Sequence, residues 1–260
     1  MGDIGGNAIL DVQDLVVRFG GVVALDGATF SIQRGQICGL IGPNGAGKTT
    51  LFNVVSRLYE PNWGTVTFDG IDLLSLPAHR IASIGIARSF QNLALFPALS
   101  VLDNVMVGAH HTTRANFITG ALRLPRVLAE ERRVRERSLE LLDLLDLAEF
   151  AHHPAAGLPY GTLKRVEIAR ALAGEPQLLL LDEPASGLNH AEVDELGDVI
   201  IDLRDTFDVS ILLVEHHMSL VMRVSDHVVA LDLGTKLAEG RPSEVANHPA
   251  VIEAYLGSSA

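Results

Sequence analysis

A glycine-rich segment, Gly42–Thr50, constrains the fold of this chain more than any other part of its sequence. It lies between the apolar run Gln36–Ile41 and a segment that we predict to be helical to about Arg57. Glycines let a backbone curl so that successive N–H groups converge, and the N-terminus of the following helix adds its positive dipole end. The pattern G-x-x-x-x-G-K-[ST], placed between a buried strand and a helix, is typical of a loop that binds phosphate groups.

The residues of this loop have the chemistry to hold the phosphates of a nucleotide. Backbone N–H groups would surround phosphate oxygens, Lys48 would place a positive charge beside the β- and γ-phosphates, and the Thr49 hydroxyl would contact Mg²⁺. The alternative, a glycine-rich turn without a ligand, is disfavoured by the order strand, loop, helix. The predicted nucleotide-binding positions of the loop are Gly42, Pro43, Asn44, Gly45, Ala46, Gly47, Lys48, Thr49 and Thr50.

Two adjacent carboxylates, Asp182 and Glu183, provide the acidic element that a magnesium nucleotide requires. Four apolar residues, Leu178–Leu181, precede the pair and predict a buried strand. Ligands of parallel sheets bind beyond the carboxyl ends of the strands, where both acids would emerge. We expect Asp182 to hold Mg²⁺, directly or through water, and Glu183 to act as general base on the attacking water.

The rest of the chain predicts an α/β fold with a parallel core. Residues 9–33 alternate as short antiparallel strands, Gly64–Asp69 begins a hairpin, and Ile211–Val214 is a third buried strand. Between about Leu93 and Ala156 the strand signals give way to helical periodicity, with one long helix predicted over Ala129–Phe150. Strands that alternate with helices elsewhere favour a parallel sheet.

Composition excludes several classes of protein. The chain has 260 residues, with 20 Lys and Arg against 32 Asp and Glu and a net charge of −12. This acidic balance argues against direct binding to nucleic acid or anionic lipid, which attract basic proteins. No apolar run approaches the roughly 20 residues of a membrane span, and residues 1–7 show no secretory signal. The single cysteine, Cys38, cannot form an internal disulfide and fits a reducing compartment.

Five further motifs follow in a fixed order around the phosphate loop and the acidic pair. They are Phe19, Gln91 within Arg88–Asn92, the segment Leu158–Arg170, the segment Ser186–Asn189, and His216 directly after the third buried strand. With these motifs the chain resembles the nucleotide-binding subunits of ATP-binding cassette (ABC) transporters over roughly residues 9 to 257. The resemblance implies a P-loop NTPase (RecA-like) parallel-sheet core with an N-terminal antiparallel β subdomain and an inserted α-helical subdomain.

The resemblance also implies a role for each motif. Phe19 would stack on adenine, Gln91 would sense Mg²⁺ and the γ-phosphate, and His216 would contact the γ-phosphate. The signature motif would contribute Tyr160, Gly161 and Thr162 to the γ-phosphate bound by an opposite subunit. The implied catalytic residues are Glu183, His216 and Gln91, and the implied metal-binding residues are Thr49, Gln91 and Asp182.

We expect residues 1–260 to form a single ABC ATPase domain with two parts. Residues 1–92 and 164–260 would form the β and RecA-like core with a C-terminal extension. Residues 93–163 would form the helical insertion, which ends in the signature motif. Within the insertion, the apolar segment Leu93–Pro97 is interpreted either as part of a groove for a helix of a membrane subunit or as core packing.

Two positions depart from the common family pattern. The usual Leu-Ser-Gly-Gly-Gln signature reads Leu-Pro-Tyr-Gly-Thr over Leu158–Thr162, so Pro159 offers neither a hydroxyl nor a backbone N–H. His217 stands where the family usually has Asp. The altered signature has two possible interpretations: a strained or catalytically weak composite ATP site, or a subfamily trait. The Tyr160-Gly161 pair, the insertion around Thr113–Arg137 and the ending Ala250–Gly257 favour the trait, because they resemble LivG-type subunits of branched-chain amino acid uptake systems.

The implied function is ATP hydrolysis that drives an ABC importer, with ATP, ADP and Mg²⁺ as ligands. In such systems a second, related ATPase chain pairs head to tail on the cytoplasmic face of the inner (plasma) membrane. Two membrane permeases and a substrate-binding protein complete the assembly, and no nucleic acid is involved. An importer of urea or short amides is a related alternative. A soluble ABC ATPase acting on ribosomes or DNA is disfavoured by the single phosphate loop and the acidic charge.

Overall fold

The computed structural model describes residues 8–89, 93–110 and 125–257. It divides into two compact units, one formed by residues up to Ile81 and from Gln177 onward, the other by Ala82–Pro176. The strands and helices follow in chain order as β1 (Ala8–Phe19), β2 (Val22–Gln33), β3 (Ile37–Ile41), α1 (Lys48–Val55), β4 (Trp63–Phe68), β5 (Ile71–Asp72), β6 (Ile86–Arg88), α2 (Val101–Gly108), α3 (Pro125–Leu144), α4 (Tyr160–Leu172), β7 (Leu178–Asp182), α5 (His190–Phe207), β8 (Ser210–Val214), α6 (Met218–Val224), β9 (His227–Asp232), β10 (Thr235–Gly240), α7 (Pro242–Ala246) and α8 (Pro249–Gly257).

An antiparallel sheet in the first unit has the strand order β2-β1-β4-β5. Apolar side chains such as Leu10, Val12 and Phe30 are buried on one face, which is the alternation expected of a half-exposed sheet. The structure thus confirms the antiparallel strands predicted over residues 9–33 and the hairpin that begins in the segment Gly64–Asp69.

A second sheet in the same unit runs β10-β9-β3-β8-β7, with β9, β3, β8 and β7 parallel. Strands β3, β7 and β8 are buried along their whole length, as continuous apolar runs require. Helix α6 approaches β3 so closely that a side chain at Gly39 would meet Val221 and Ser225 at 2.6 and 2.7 Å. Burial raises the pKa of the Cys38 thiol in β3, which therefore stays protonated and unreactive.

The register of this sheet aligns the ends of three strands. Val214 of β8 pairs with Asp182 of β7 on one side and with Leu40 of β3 on the other. The segments that follow β3, β7 and β8 therefore leave the sheet at the same edge, as the parallel order predicts.

Helices α2 and α3 of the second unit lie in the stretch from about Leu93 to Ala156 where helical periodicity is predicted. The long helix α3 ends at Leu144, however, and not at Phe150. Asp146 adopts a left-handed conformation with φ of 56°, which ends the helix, and Ala148–Phe150 forms a separate 3-10 turn. Among the described residues, no helix is both long and apolar enough to cross a bilayer.

Asn104, fully buried on α2, fixes the loop that precedes this helix. Its side-chain oxygen accepts a hydrogen bond of 2.7 Å from the Phe96 backbone N–H. Its amide nitrogen donates to the carbonyls of Phe96 and Ser100 at 3.0 and 2.9 Å. These bonds hold the loop while the Phe96 side chain remains half exposed.

Replacement of Asn104 by Ala is expected to lower the free energy of unfolding by about 1–3 kcal/mol, because buried backbone groups of the loop lose their partner. Asp103→Ala is the matched control, since the Asp103 carboxylate bonds only the Ser100 hydroxyl at the surface among the contacts described. Urea denaturation of both variants tests this expectation. Equal losses of stability in the two would contradict it.

Candidate functional site

The phosphate loop is positioned by two glycines at which no other residue fits. At Gly42, with φ of 152°, an added Cβ would lie 2.2 Å from the Leu231 carbonyl oxygen. At Gly47, with φ of 99°, it would lie 2.6 Å from the Ala24 carbonyl oxygen. The loop is also tied to the β9–β10 turn, because the Gly234 N–H donates to the Ala46 carbonyl at 3.1 Å. The predicted glycines are therefore needed for the path of the backbone.

Helix α1 begins at Lys48 directly after the loop, with Gly47 as its N-cap. Gly47 has no side chain that could cap the first turn, so the N-terminal N–H groups of α1 remain available to an anion. Asn44, Gly45 and Thr49 are exposed, and Pro43 and Thr50 are half-buried. The described geometry is that of a loop with its backbone donors accessible from solvent.

Lys48 is the buried cation of this loop, with only 7% of the residue exposed. Its Nζ donates to the carbonyl oxygens of Gly42 and Pro43 at 2.6 and 3.0 Å. Desolvation lowers the pKa of Lys48, while Glu183 and then Asp182 oppose that shift through their negative charge. The structure thus brings together the loop lysine and the acidic pair, which are about 135 residues apart in the chain.

Asp182 and Glu183 lie at the end of β7, where the sequence predicts them. Asp182 is buried, and Glu183 is half-buried in a left-handed conformation with φ of 48°. The Glu183 N–H donates to the Val214 carbonyl at 2.8 Å, which fixes this sharp turn of the chain. A non-glycine residue with positive φ is uncommon and is found at sites where the surrounding structure determines the backbone.

Glu215 is a site residue that the sequence reasoning missed. It is completely buried between Val214 and His216. Its Oε1 accepts a hydrogen bond of 2.7 Å from the Ala185 N–H. Its Oε2 accepts bonds from the N–H groups of His216 and His217 at 3.0 and 3.2 Å. The sequence contains a pattern that could have identified Glu215, because this carboxylate directly follows an apolar strand, as Asp182 does.

His216 follows this carboxylate, and 49% of its side chain is exposed. Its ring lies 4.5 Å from the His217 ring, centroid to centroid, and its Nδ1 is 3.7 Å from Glu215 Oε2. One side-chain donor atom of each of Glu215, His216 and His217 lies within 4.8 Å of the others. Because the Glu215 oxygens already accept backbone N–H groups, this cluster is better described as a hydrogen-bonded anchor than as a metal centre.

Phe19 ends β1 and exposes 47% of its surface. Tyr59 packs its ring against Phe19 at 5.2 Å in an edge-to-face arrangement. The nearby backbone is fixed because the Arg18 N–H donates to the Asn62 side chain at 2.7 Å. An exposed aromatic face held in this way has the geometry to stack on a planar base.

The signature residues Tyr160, Gly161 and Thr162 lie in the second unit, at the start of α4. The helix begins at Tyr160, with Pro159 as N-cap at φ of −54°. Proline suits the extended conformation of an N-cap residue. Because the helix begins at Tyr160, Gly161 lies within its first turn. Tyr160 is exposed, and the buried Lys164 places its Nζ 5.6 Å from the centre of the Tyr160 ring. Gln91 lies outside the described residues.

Comparison with known proteins settles the family. Residues 25–186 match the ABC transporter family, and residues 235–260 match a family described as branched-chain amino acid ATP-binding cassette transporter. The chain is an ATP-binding cassette of the ABC transporter family. The cassette is 42% identical over 251 residues to the high-affinity branched-chain amino acid transport ATP-binding protein BraF of Pseudomonas aeruginosa, covering 96% of this chain and 98% of that protein. It is 39% identical, with the same coverage, to LivG of Escherichia coli, a protein of the same description.

Solved structures agree with this assignment. The ADP conformation of MJ1267, an ATP-binding cassette of an ABC transporter, has a TM-score of 0.84 and 28% identity, covering 97% of this chain and all of that chain. The dimeric structure of MJ0796, a bacterial ABC transporter cassette, has a TM-score of 0.75 and 26% identity, covering 90% and 98%. The predictions of an ABC family member, of a P-loop NTPase fold and of an ATPase are confirmed.

Replacement of Lys48 by Met is expected to abolish ATP binding while stabilising the nucleotide-free cassette, because it removes an ammonium that desolvation disfavours. The lowered pKa means that the folded state binds the lysine proton less tightly, so the ammonium opposes folding at every pH below its ordinary pKa of 10.5. Thermal unfolding and binding of a fluorescent ATP analogue measure the two effects.

Lys236→Met is the matched control for Lys48→Met. Lys236 is partly exposed and pairs with Glu239, so its removal should not raise stability or affect nucleotide binding. A lower unfolding temperature for Lys48→Met than for the unmodified cassette would contradict the electrostatic argument.

Proposed function

We propose that the cassette is the ATP-hydrolysing subunit of an importer for branched-chain amino acids. The observation that carries this proposal is the joint match of the ABC core and of residues 235–260, together with relatives that align over almost their whole length. The relatives are described as branched-chain amino acid transport proteins. A cassette does not itself need to contact the transported molecule, so the substrate is inferred from relatives.

The residues near the phosphate loop fit a magnesium ion. Asp182 is a buried carboxylate whose charge acts on Lys48, and Thr49 presents a hydroxyl on the first turn of α1. Oxygen ligands of this kind are those Mg²⁺ prefers, and Gln91 would complete the set through its side-chain oxygen. When bound, the ion would neutralise charge on the β- and γ-phosphates.

Each remaining site residue has a task in ATP hydrolysis. Lys48 and the backbone of the loop hold the phosphates, and Phe19 stacks on the adenine. Glu183 accepts a proton from the water that attacks the γ-phosphorus, and the bond to the leaving ADP oxygen breaks in line with that attack. His216 donates a hydrogen bond to the γ-phosphate. Tyr160, Gly161 and Thr162 act on the nucleotide of a second cassette.

The assembly that we propose contains a second, related ATPase chain, paired head to tail. The dimeric cassette among the structural relatives and the exposed Tyr160 at the start of α4 are consistent with such pairing. Two permeases and a substrate-binding protein complete the importer, with the cassette on the cytoplasmic face of the membrane. In this scheme residues 93–163 are the insertion that carries the signature motif and contacts the permeases.

Replacement of Glu183 by Gln is expected to lower kcat for ATP hydrolysis by a factor of about 10²–10⁴, because an amide cannot take the proton from water. ATP should still bind, and the dimer should accumulate in its ATP-bound form. Glu253→Gln, an exposed position on α8, is the matched control and should hydrolyse ATP normally. ATP turnover and size-exclusion chromatography measure both effects. Undiminished turnover by purified Glu183→Gln would refute the base assignment.

Transport by the reconstituted complex tests the substrate. The cassette would be purified with its membrane partners, placed in vesicles with the binding protein, and given labelled leucine or labelled urea in parallel. We expect ATP-dependent uptake of leucine and none of urea. Uptake of urea alone would favour the related amide importer, and isolation of the cassette only with ribosomes would overturn the transporter proposal.

A further inference from the structure

Glu215 connects two segments of the chain that have separate tasks in the proposed reaction. One segment follows β7 and contains Glu183 and Ala185, and the other follows β8 and contains His216 and His217. The carboxylate has one oxygen on each segment, with Oε1 on the Ala185 N–H and Oε2 on the N–H groups of the two histidines. This connection is made by a side chain and lies beyond Asp182 and Val214, the last residues of β7 and β8.

The chemistry of this link makes it specific for a carboxylate. Glu215 is fully buried, and a buried charge is tolerated only where hydrogen bonds replace its water. Three backbone N–H groups at 2.7–3.2 Å supply that replacement. Each bond is charge-assisted and therefore stronger than its neutral counterpart. A neutral amide in the same place would direct an NH₂ group at one of these N–H donors and lose that side of the link.

A backbone hydrogen bond one residue earlier also holds the Glu183 segment, in this case against the last residue of β8. The Glu183 N–H donates to the Val214 carbonyl at 2.8 Å, next to Glu215 in the chain. Glu183 is thus tied to the end of β8, and Ala185 is tied to the residue after it. These hydrogen bonds fix the backbone of Glu183, the proposed base, relative to the backbone of His216.

We propose that Glu215 is a positioning residue that couples the Glu183 loop to His216, so that the base and the γ-phosphate contact adopt their working geometry together. The proposal rests on the function assigned above to Glu183 and His216. Glu215 has no described contact with the phosphate loop or with Lys48, and the one group assigned to the phosphates that it contacts is His216, through the backbone N–H. Its loss should therefore impair hydrolysis while leaving ATP affinity intact.

The test uses Glu215→Gln, which keeps the volume of the side chain, in the assembled transporter and in the free cassette. We expect kcat to fall 10- to 100-fold while the dissociation constant of ATP stays within twofold of the unmodified value. Hydrogen exchange should accelerate at both segments, at the Ala185 N–H and at the N–H groups of the two histidines. A proportional loss of ATP affinity, or faster exchange in one segment only, would overturn the proposal.

A double-mutant cycle with His216→Ala separates coupling from a general loss of stability. If Glu215 acts through His216, Glu215→Gln should have less than a threefold effect on kcat in the His216→Ala background. Full additivity would overturn the proposal. If Glu215→Gln does not fold, the same measurements are made on Glu215→Asp, which keeps the charge and should lose less activity and exchange protection than the amide.

Three variants distinguish a failure of the coupling role of Glu215 from a failure of the roles assigned to Glu183 and His216. If Glu183→Gln and His216→Ala both retain full turnover, the roles assigned to those residues fail whatever Glu215 does. If both lose turnover but Glu215→Gln retains it with unchanged hydrogen exchange, only the coupling role fails.

Discussion

Parallel pairing of β3, β8 and β7 is the constraint on which the site depends. Val214 pairs with Leu40 and with Asp182, so the three strands end at the same edge of the sheet. The phosphate loop, the acidic pair and the segment of Glu215 all begin at that edge. Any shift of register by one residue would turn these side chains to the opposite face and would separate the lysine from its carboxylates.

The charges at this edge explain how an acidic chain holds an anionic ligand. The net charge of −12 opposes a nucleotide, and Asp182 and Glu183 add to that opposition locally. Lys48, the glycine-rich backbone and the first turn of α1 supply the positive field instead. The buried ammonium is held by two carbonyl oxygens, and desolvation lowers its pKa while the charges of Glu183 and Asp182 oppose that shift. Burial of this ammonium therefore lowers the stability of the nucleotide-free cassette, and such a loss of stability is common at functional sites.

Sequence reasoning succeeded where a local pattern decides the structure. The phosphate loop, the apolar strands and the two hairpins have signatures within ten or so residues, and the structure places each as predicted. It was less accurate at the end of α3, because a single left-handed conformation at Asp146 ends that helix at Leu144 and not at Phe150. The family resemblance indicated Phe19 and His216, whose exposed rings have no local signal of their own.

The α/β class, the phosphate loop and the acidic strand end follow from the amino-acid sequence, because glycine geometry and apolar runs act over short distances. Which distant groups meet depends on the three-dimensional fold. It placed Lys48 within electrostatic range of Glu183 and Asp182, set Tyr59 against Phe19, and joined the segments after β7 and β8 through Glu215. These contacts depend on strand register and on side-chain direction at the end of a sheet, and the spacing of residues along the chain specifies neither.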